Sequence, residues 1–434
     1  MNSTVTFGPI KLAPGVTVRH VLCYLFAAGI SIGMFTYLMT LTPYILIENL
    51  GIPEEEHGRI VGNLQFLQEI VLLACIGWWG AMSDRFGRRY IYIVGWLIMM
   101  AGYGIYSFAT SLPELFIYRM VFALAVAATT TNLSAILADY PQDVSRGKFT
   151  GMAFVLNGVG AVAFFVGLTQ LPGIFQDQGA DPIWAGRYAY LCVAGLAFVA
   201  AVIMTGLKPG LPEGVEPKKP VLQLIKEGIK AGRNKRIAIA YLGAFAARAD
   251  MAIITLFVIL WVIQASGAAG LDTAQAQARG GLFVGVCSMS AVVWAPIFGF
   301  LSDKLDRLTI TVLAFGLATI GYGWLGTLDD ILSLQLAIPA LILVGIGQSS
   351  TALACIVLLG QESPSDLRGS VFGLQSFCGA LGILAISSGG GYLFDLVGPG
   401  MPFIAVAFAN ALVFAVSIIY RRRELKEAII QPAG

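Results

Sequence analysis

Twelve runs of about 20 predominantly apolar residues are spread along the chain and constrain its fold more than any other feature. A run of this length crosses the hydrocarbon core of a bilayer as a helix, which satisfies its own backbone hydrogen bonds. Only 12% of the 434 residues are charged, against roughly 25% in a soluble domain. The runs cover residues 18–47, 58–82, 90–109, 113–138, 149–169, 187–207, 237–264, 281–301, 309–327, 332–360, 371–392 and 402–420. The sequence therefore predicts an all-α membrane protein with twelve transmembrane helices.

Lys and Arg are distributed unevenly among the segments between these runs. If both termini lie in the cytoplasm, 22 of the 27 basic residues fall in cytoplasmic segments and three in outer loops. This bias is typical of the positive-inside rule and agrees with an even number of helices. The first run has no basic segment or cleavage site typical of a signal peptide, so we expect it to span the membrane. We predict a bacterial inner-membrane protein with both termini in the cytoplasm.

Two short sequence segments recur at a nearly constant spacing. The stretch GAMSDR at 80–85 matches GFLSDK at 299–304, an offset of 219, and RGxxxG at 146–151 matches 368–373, an offset of 222. Repetition of this kind indicates a duplicated structural unit. Two related six-helix halves are an architecture found in transporters.

The longest polar segment, residues 208–236, lies between the two copies. It begins with KPGLPEGVEPKKP, in which Pro and Gly oppose regular helix, and continues with VLQLIKEGIKAGRNKR, which has one apolar face. We predict a six-helix bundle at 1–207, a cytoplasmic linker with an amphipathic interfacial helix at 208–236, and a second bundle with a short cytoplasmic tail at 237–434. A plain basic linker is the alternative.

The sequence lacks the motifs of several other protein classes. Its six cysteines form no CxxC pair, its two histidines, His20 and His57, are far apart, and it contains no phosphate-binding P-loop motif. The net charge of +2 gives no basic field for nucleic acid. No nucleophile, base and acid form a recognisable set. We therefore predict no metal, no cofactor, no nucleic-acid partner and no enzymatic activity.

Four ionisable residues interrupt the apolar runs: Glu69, Arg119, Arg248 and Asp250. Each costs on the order of 2.5–3.5 kcal/mol at the centre of a membrane helix. A residue that bears this cost is expected to pair with another charge or to face water. A purely structural ion pair is the alternative to a role in transport. Arg248 and Asp250 are about 200° apart on a helical wheel, so they cannot simply neutralise each other. Gln65 lies one helical turn from Glu69 on the same face.

The decapeptide GAMSDRFGRR at 80–89 resembles the signature of the loop between helices 2 and 3 in the major facilitator superfamily. This resemblance implies two pseudo-symmetric six-helix bundles and transport by alternating access. The second copy departs from the signature at Asp306, where the first has Gly87. A left-handed turn is less expected there, since glycine adopts that conformation most readily.

The resemblance also implies roles for particular residues. In this family the loop charges form a cytoplasmic latch, which here corresponds to Asp84, Arg85, Arg88, Arg89, Asp143, Arg146, Asp303 and Arg368. Helices 1, 4, 7 and 10 line a central cavity in the family. The polar residues of these helices, together with Gln65 beside Glu69, are therefore the substrate-binding candidates: Arg119, Arg248, Tyr37, Thr40, Gln65, Asn132, Thr255, Gln348, Ser349 and Thr351. For any single hydroxyl, a bond to its own helix is the alternative.

The buried carboxylates suggest the mechanism. A carboxylate in a low-dielectric environment binds a proton more readily, and a nearby arginine opposes this. We predict that Glu69 and Asp250 couple protons, and that Arg119 and Arg248 modulate them or bind an anionic group. The predicted function is proton-coupled secondary transport of a small organic solute, anionic or amphipathic, by a monomer in the lipid bilayer. The alternatives are a drug/proton antiporter, which the absence of Gly-Pro in helix 5 disfavours, and an uncoupled facilitator.

Overall fold

The computed structural model describes residues 5–211, 221–364 and 367–430, and this part of the chain is almost entirely helical. The helices are α1 (Val18–Glu48), α2 (His57–Phe86), α3 (Arg88–Tyr106), α4 (Leu112–Asp139), α5 (Arg146–Gly167), α6 (Leu171–Asp177), α7 (Pro182–Met204), α8 (Val221–Ala231), α9 (Lys235–Ile253), α10 (Ile259–Ala268), α11 (Thr273–Lys304), α12 (Arg307–Gly326), α13 (Leu334–Glu362), α14 (Arg368–Leu396) and α15 (Met401–Ile430). A short hairpin, β1 (Thr6–Phe7) and β2 (Ile10–Lys11), precedes them.

These helices contain the twelve predicted spans. Within the described ranges, 11 helices are long and apolar enough to cross a membrane by length and composition. The remaining span is α3, whose tyrosines, tryptophan and glycines make it less apolar. The predicted span 237–264 is not one regular helix, because a π-helical turn, Ile254–Val258, joins α9 to α10. Turns of this kind are frequent at functional sites.

The chain folds into two units, and each unit takes a segment from the opposite half of the sequence. Unit 1 comprises Met1–Glu54, Leu64–Glu216 and Gly270–Gly285, and unit 2 comprises Glu55–Asn63, Pro217–Ala269 and Val286–Gly434. The first turns of α2 therefore belong to unit 2 and the first turns of α11 to unit 1. The predicted bundle boundaries at 207 and 237 stay a prediction.

Glycines make these exchanged segments fit. In unit 2 a Cβ on Gly62 would overlap the carbonyl of Ser387 in α14, and one on Gly391 would overlap the carbonyl of Gly58. In unit 1 a Cβ on Gly281 of α11 would lie 2.5 Å from the carbonyl oxygen of Phe165 in α5. Small residues let membrane helices approach backbone to backbone. We call the α2–α14 contact, formed by Gly58, Gly62, Ser387 and Gly391, the glycine seam.

A carboxylate at the end of the glycine seam caps α2. Asp395 is 1% exposed at its side chain and accepts hydrogen bonds from the backbone nitrogens of Gly58 and Arg59, both at 2.8 Å. Its Oδ2 also lies 3.2 Å from Arg59 Nε. A carboxylate at a helix N-terminus satisfies free backbone donors and complements the helix dipole. Asp395 thus fixes the first turn of α2 on α14.

We predict that Gly62→Ala destabilises the protein by about 1–3 kcal/mol, because an overpacked contact forces backbone shifts. The matched control is Gly77→Ala on the same helix, where an added Cβ meets nothing within 4 Å. Alanine there improves helix propensity. Thermal unfolding in detergent measures both variants. Equal melting temperatures for the two would contradict the tight packing of the glycine seam.

The N-terminal hairpin was not predicted from the sequence. It attaches to the loop between α4 and α5 through a bridge between Leu12 and Pro141 and a 3.0 Å bond from the Lys11 backbone nitrogen to Ser145 Oγ. Leu12 and Val16 are each only 2% exposed. The hairpin therefore braces this loop within unit 1.

The amphipathic part of the predicted linker forms helix α8, whereas residues 212–220 of the Pro- and Gly-rich stretch lie outside the described residues. Ser370 Oγ of α14 donates to Glu227 Oε2 at 2.7 Å, which holds one edge of α8 on unit 2. Ile225 and Ile229 are exposed beside the exposed Lys226 and Lys230. This arrangement is typical of an interfacial helix.

Candidate functional site

Asp250 lies in α9 and is completely buried within unit 2. Its Oδ1 accepts a 2.6 Å hydrogen bond from Asn410 Nδ2, and its Oδ2 accepts one of 2.9 Å from Thr351 Oγ1. Its backbone oxygen accepts a 2.8 Å bond from the Tyr322 hydroxyl. All three donors are neutral. Among the described residues, no ion pair involves this carboxylate.

The hydroxyl of Thr351 can serve Asp250 in both protonation states. Thr351 Oγ1 also lies 3.1 Å from the backbone oxygen of Gln348. It donates to Asp250 Oδ2 when the carboxylate is ionised. When Oδ2 carries a proton, the hydroxyl can accept that proton's hydrogen bond and donate to Gln348 instead. The hydrogen bonds around Asp250 can therefore accommodate either protonation state through rotation of one hydroxyl.

Arg119 is the buried cation of unit 1, at 1% exposure in α4. Its Nη2 donates to Gln65 Oε1 of α2 at 3.3 Å, and its guanidinium lies 5.7 Å from the centre of the Phe122 ring. Its Nε and Nη1 have no hydrogen-bond partner within the part of the chain that the structure describes. Buried donors without partners are costly, and the assignment of Arg119 as a substrate contact stays a prediction.

Four tyrosines from α1, α3 and α7 pack together around this region of unit 1. The ring of Tyr190 lies 5.7 Å from Tyr106, 6.2 Å from Tyr103 and 6.5 Å from Tyr37. The Tyr37 hydroxyl donates to the backbone of Leu168 at 2.7 Å. Tyr103, Tyr106 and Tyr190 interact electrostatically with Arg119. These rings pack against one another beside Arg119, and the assignment of Tyr37 as a substrate contact stays a prediction.

The remaining ionisable residues predicted for the site have different environments. Glu69 is buried at 7% exposure in α2 and belongs, with Arg119, to unit 1. Arg248 is exposed, and its aliphatic stem packs on Gly379 of α14 in unit 2. Asp250 is fully buried only two residues later. The structure thus places Arg248 and Asp250 in separate surroundings, as their angular separation suggests.

Most of the smaller polar residues predicted to bind substrate bond within the protein. The Thr40, Thr255 and Ser349 hydroxyls donate to the backbone oxygens of Tyr37 (2.8 Å), Ala252 (3.0 Å) and Ile346 (3.2 Å). Asn132 Nδ2 donates to the Ala128 oxygen at 2.8 Å, and its Oδ1 accepts from Ser83 Oγ at 2.6 Å. Gln348 Oε1 accepts from Cys287 Sγ at 3.8 Å. This is the alternative that the sequence left open. Their assignment as substrate contacts stays a prediction.

The first copy of the loop signature forms an ionic cluster in unit 1. Arg88 pairs with Asp84 at 2.5 Å and with Asp139 of α4 at 3.1 Å. Gly87 has φ +96°, which places Arg88 at the start of α3. In the second copy Asp306 has φ −58° and its carboxylate caps α12 by accepting from the Thr309 nitrogen at 3.1 Å. The sequence difference between the copies thus changes the turn.

The other residues predicted for the latch form few or local contacts. Asp143 and Arg146 pair at 2.6 Å across one turn, and Arg85 lies over the ring of Phe86. Arg368 Nη2 is 3.5 Å from the backbone oxygen of Gly360. Arg89 is half-buried and Asp303 is exposed. Their role as a latch stays a prediction.

Sequence reasoning missed Asn410 and Tyr322 beside Asp250. Asn410 is a lone amide inside the last apolar run, which is the signal that could have identified it. Sequence reasoning also missed an ionic cluster, in which Arg236 pairs with Glu362 at 2.9 Å and with Glu424 at 2.8 Å and so joins α9, α13 and α15. Counting Arg236 only as a topology signal concealed this role.

Comparison with known proteins identifies the family. The family model described as Major Facilitator Superfamily matches residues 24–387. Magnetosome protein MamZ of Paramagnetospirillum magneticum is 27% identical over 389 residues, which cover 86% of this chain and 58% of MamZ. Magnetosome protein MamH of the same organism is 26% identical over 424 residues, which cover 96% of this chain and 95% of MamH. The chain therefore spans under two thirds of MamZ and nearly all of MamH.

A solved structure shares the fold of this chain. The crystal structure of the nucleoside transporter NupG aligns with a TM-score of 0.73 over 92% of this chain and 98% of NupG, at 11% identity. At this identity the likeness shows the fold alone. It confirms the predicted all-α fold of twelve helices in two bundles. The chain is therefore a multi-pass membrane protein that belongs to the Major Facilitator Superfamily.

Proposed function

We propose that the chain is a proton-coupled secondary transporter of a small organic anion, and that Asp250 is the residue that binds the proton. The observation that supports this most strongly is a completely buried carboxylate whose hydrogen-bond partners are all neutral. An ionised carboxylate without a cation is unfavourable in such surroundings, so it gains from protonation. When alternating access admits water, the ionised form becomes favourable and the proton leaves.

Arg119 supplies the anion preference in this proposal. A guanidinium presents a planar set of donors that matches carboxylate and phosphate groups. Two of the nitrogens of Arg119 have no partner among the described residues and lie next to the amide of Gln65. The substrate class is therefore a small solute that carries a carboxylate or phosphate. Glu69 is proposed as a second proton site, and Arg248 as a modulating cation.

The cellular setting belongs to the same proposal. The chain acts as a monomer, with both termini in the cytoplasm, in the inner membrane of a bacterium. The 22 basic residues on the predicted cytoplasmic side support this orientation. The two magnetosome relatives are bacterial proteins, which supports the choice of organism class.

Transport by reconstituted protein tests the proposal. A thermal-stability screen of monocarboxylates, dicarboxylates, sugar phosphates, neutral nucleosides and cationic drugs first identifies a stabilising ligand. Proteoliposomes then receive that ligand with or without an imposed pH gradient. We expect an anion to stabilise the protein and to accumulate only with the gradient. Stabilisation by cationic drugs alone would favour the antiporter, and equilibration without accumulation would show an uncoupled facilitator.

We further predict that Thr351→Val slows proton-driven uptake about tenfold, because a hydrogen bond to a charged group contributes roughly 1.5–3 kcal/mol. Thr351→Ser keeps the hydroxyl and retains uptake. Thr319→Val is the matched control, since the Thr319 hydroxyl donates to the Phe315 carbonyl of its own helix, α12. Initial rates in proteoliposomes measure all three variants. Normal uptake by Thr351→Val would contradict a role for this hydroxyl in proton exchange.

A further inference from the structure

An apolar groove lies on the surface of unit 1 between α3 and α7. It is open to the surroundings and has a volume of about 440 Å³. Its lining comprises Met100, Ala101, Gly104 and Ile105 of α3, Phe108 in the turn after α3, Tyr118 of α4, and Leu191 and Ala194 of α7. The lining residues of α3, from Met100 to Ile105, extend over roughly 8 Å at 1.5 Å per residue. The apolar lining suits part of a hydrocarbon chain.

One arginine lies at the end of the groove where α3 ends and α7 begins. Arg187 precedes Leu191 and Ala194 on α7 by four and seven residues, so the three share a face. Its guanidinium lies 5.0 Å from the Phe108 ring and 4.8 Å from the Trp184 ring. Its Nε is buried and has no hydrogen-bond partner in the described ranges, where Arg187 also forms no ion pair.

The residues beside Arg187 mark the depth of a lipid headgroup. Trp184 and Tyr188 are exposed, and their rings lie 5.6 Å apart. Phe108 is also exposed, and its ring lies 6.5 Å from that of Trp184. Exposed Trp and Tyr are enriched where a membrane protein crosses the level of the headgroups. The cation is therefore at the height of lipid phosphates, with the apolar groove extending towards the membrane centre.

We propose that this groove binds one glycerophospholipid, with the phosphate on Arg187 and one acyl chain between α3 and α7. The phosphate supplies the negatively charged partner that Arg187 lacks among the described residues. A charge-assisted hydrogen bond forms readily beside aromatic rings that exclude water. The chain fills the groove and removes its apolar surface from contact with mobile lipid. This site is independent of the transported substrate, because it takes no residue from the Asp250 or Arg119 regions.

Native mass spectrometry of the detergent-purified protein with added phosphatidylglycerol tests the site. We expect one tightly bound lipid in the wild type. Arg187→Gln should weaken its binding about tenfold, as expected for loss of one charge-assisted hydrogen bond. Gly104→Leu should abolish it, because a Cβ there points into open space and the leucine fills the groove. Diacylglycerol, which has no phosphate, should bind weakly and equally to the wild type and Arg187→Gln.

Matched variants separate this site from general lipid attachment. Arg279→Gln removes another half-buried arginine of unit 1, and Gly77→Leu adds a leucine in open space on α2. Both should bind phosphatidylglycerol like the wild type. Unchanged binding by Arg187→Gln would overturn the phosphate contact. Equal losses in the control variants would overturn the site. If Gly104→Leu fails to fold, Arg187→Gln and the diacylglycerol comparison still decide.

Discussion

Asp250→Asn is expected to abolish proton-driven accumulation of substrate while leaving exchange of substrate across the membrane intact. The amide retains the size of the carboxyl group and can still bond to Thr351 and Asn410, but it cannot take up or release a proton. Exchange requires only that the loaded transporter change conformation, whereas net accumulation requires the proton to be released. The expected loss of accumulation is complete rather than partial.

Two measurements in the same proteoliposomes separate these outcomes. Uptake driven by an imposed pH gradient reports coupling, and counterflow of labelled against unlabelled substrate reports exchange. Asp329→Asn is the matched control because Asp329 is exposed and has no role in the proposed mechanism. Undiminished accumulation by Asp250→Asn would remove Asp250 from the coupling mechanism. Loss of both accumulation and counterflow, with the fold intact, would instead make Asp250 a substrate contact.

Arg119→Gln is expected to weaken substrate binding by about 100-fold or more, because two hydrogen bonds to a charged group contribute roughly 1.5–3 kcal/mol each. The same variant should not lower the melting temperature of the substrate-free protein. A buried guanidinium without a carboxylate partner opposes folding, and its replacement by a neutral amide removes that penalty. Function and stability are therefore expected to change in opposite directions.

Binding and melting of Arg119→Gln are measured with the ligand found in the stability screen. Arg119→Lys is the informative second variant, since it keeps the charge but loses the planar donors, and we expect intermediate affinity. Arg279→Gln controls for loss of a positive charge elsewhere in unit 1. A large drop in melting temperature with unchanged affinity would show that Arg119 is structural.

Hydrophobicity made the twelve spans and the four ionisable residues within them predictable from sequence, and three of the four, Glu69, Arg119 and Asp250, are buried. The cost of an ion in hydrocarbon depends on the residue and its depth, both of which a sequence reveals. The partners of those ions were not predictable, because Asn410 is 160 residues from Asp250 along the chain. Nothing local distinguishes it from the amides and hydroxyls that serve packing.

Weak local signals explain the other differences. The N-terminal strands contain two residues each, too few for an alternating pattern to appear. Thr40, Thr255 and Ser349 were chosen by helix position, whereas in the structure their hydroxyls bond to carbonyls one turn earlier. The repeat offsets revealed the duplication, but they could not reveal the segments that each unit takes from the other half.

That exchange of segments has a consequence for how the chain can be divided. The backbone groups that Gly391 and Asp395 contact in unit 2, those of Gly58 and Arg59, come from the first half of the sequence. A fragment containing only the second half would lack these partners of the buried Asp395 carboxylate. Cutting the chain in the linker between the halves therefore removes contacts from inside unit 2 as well.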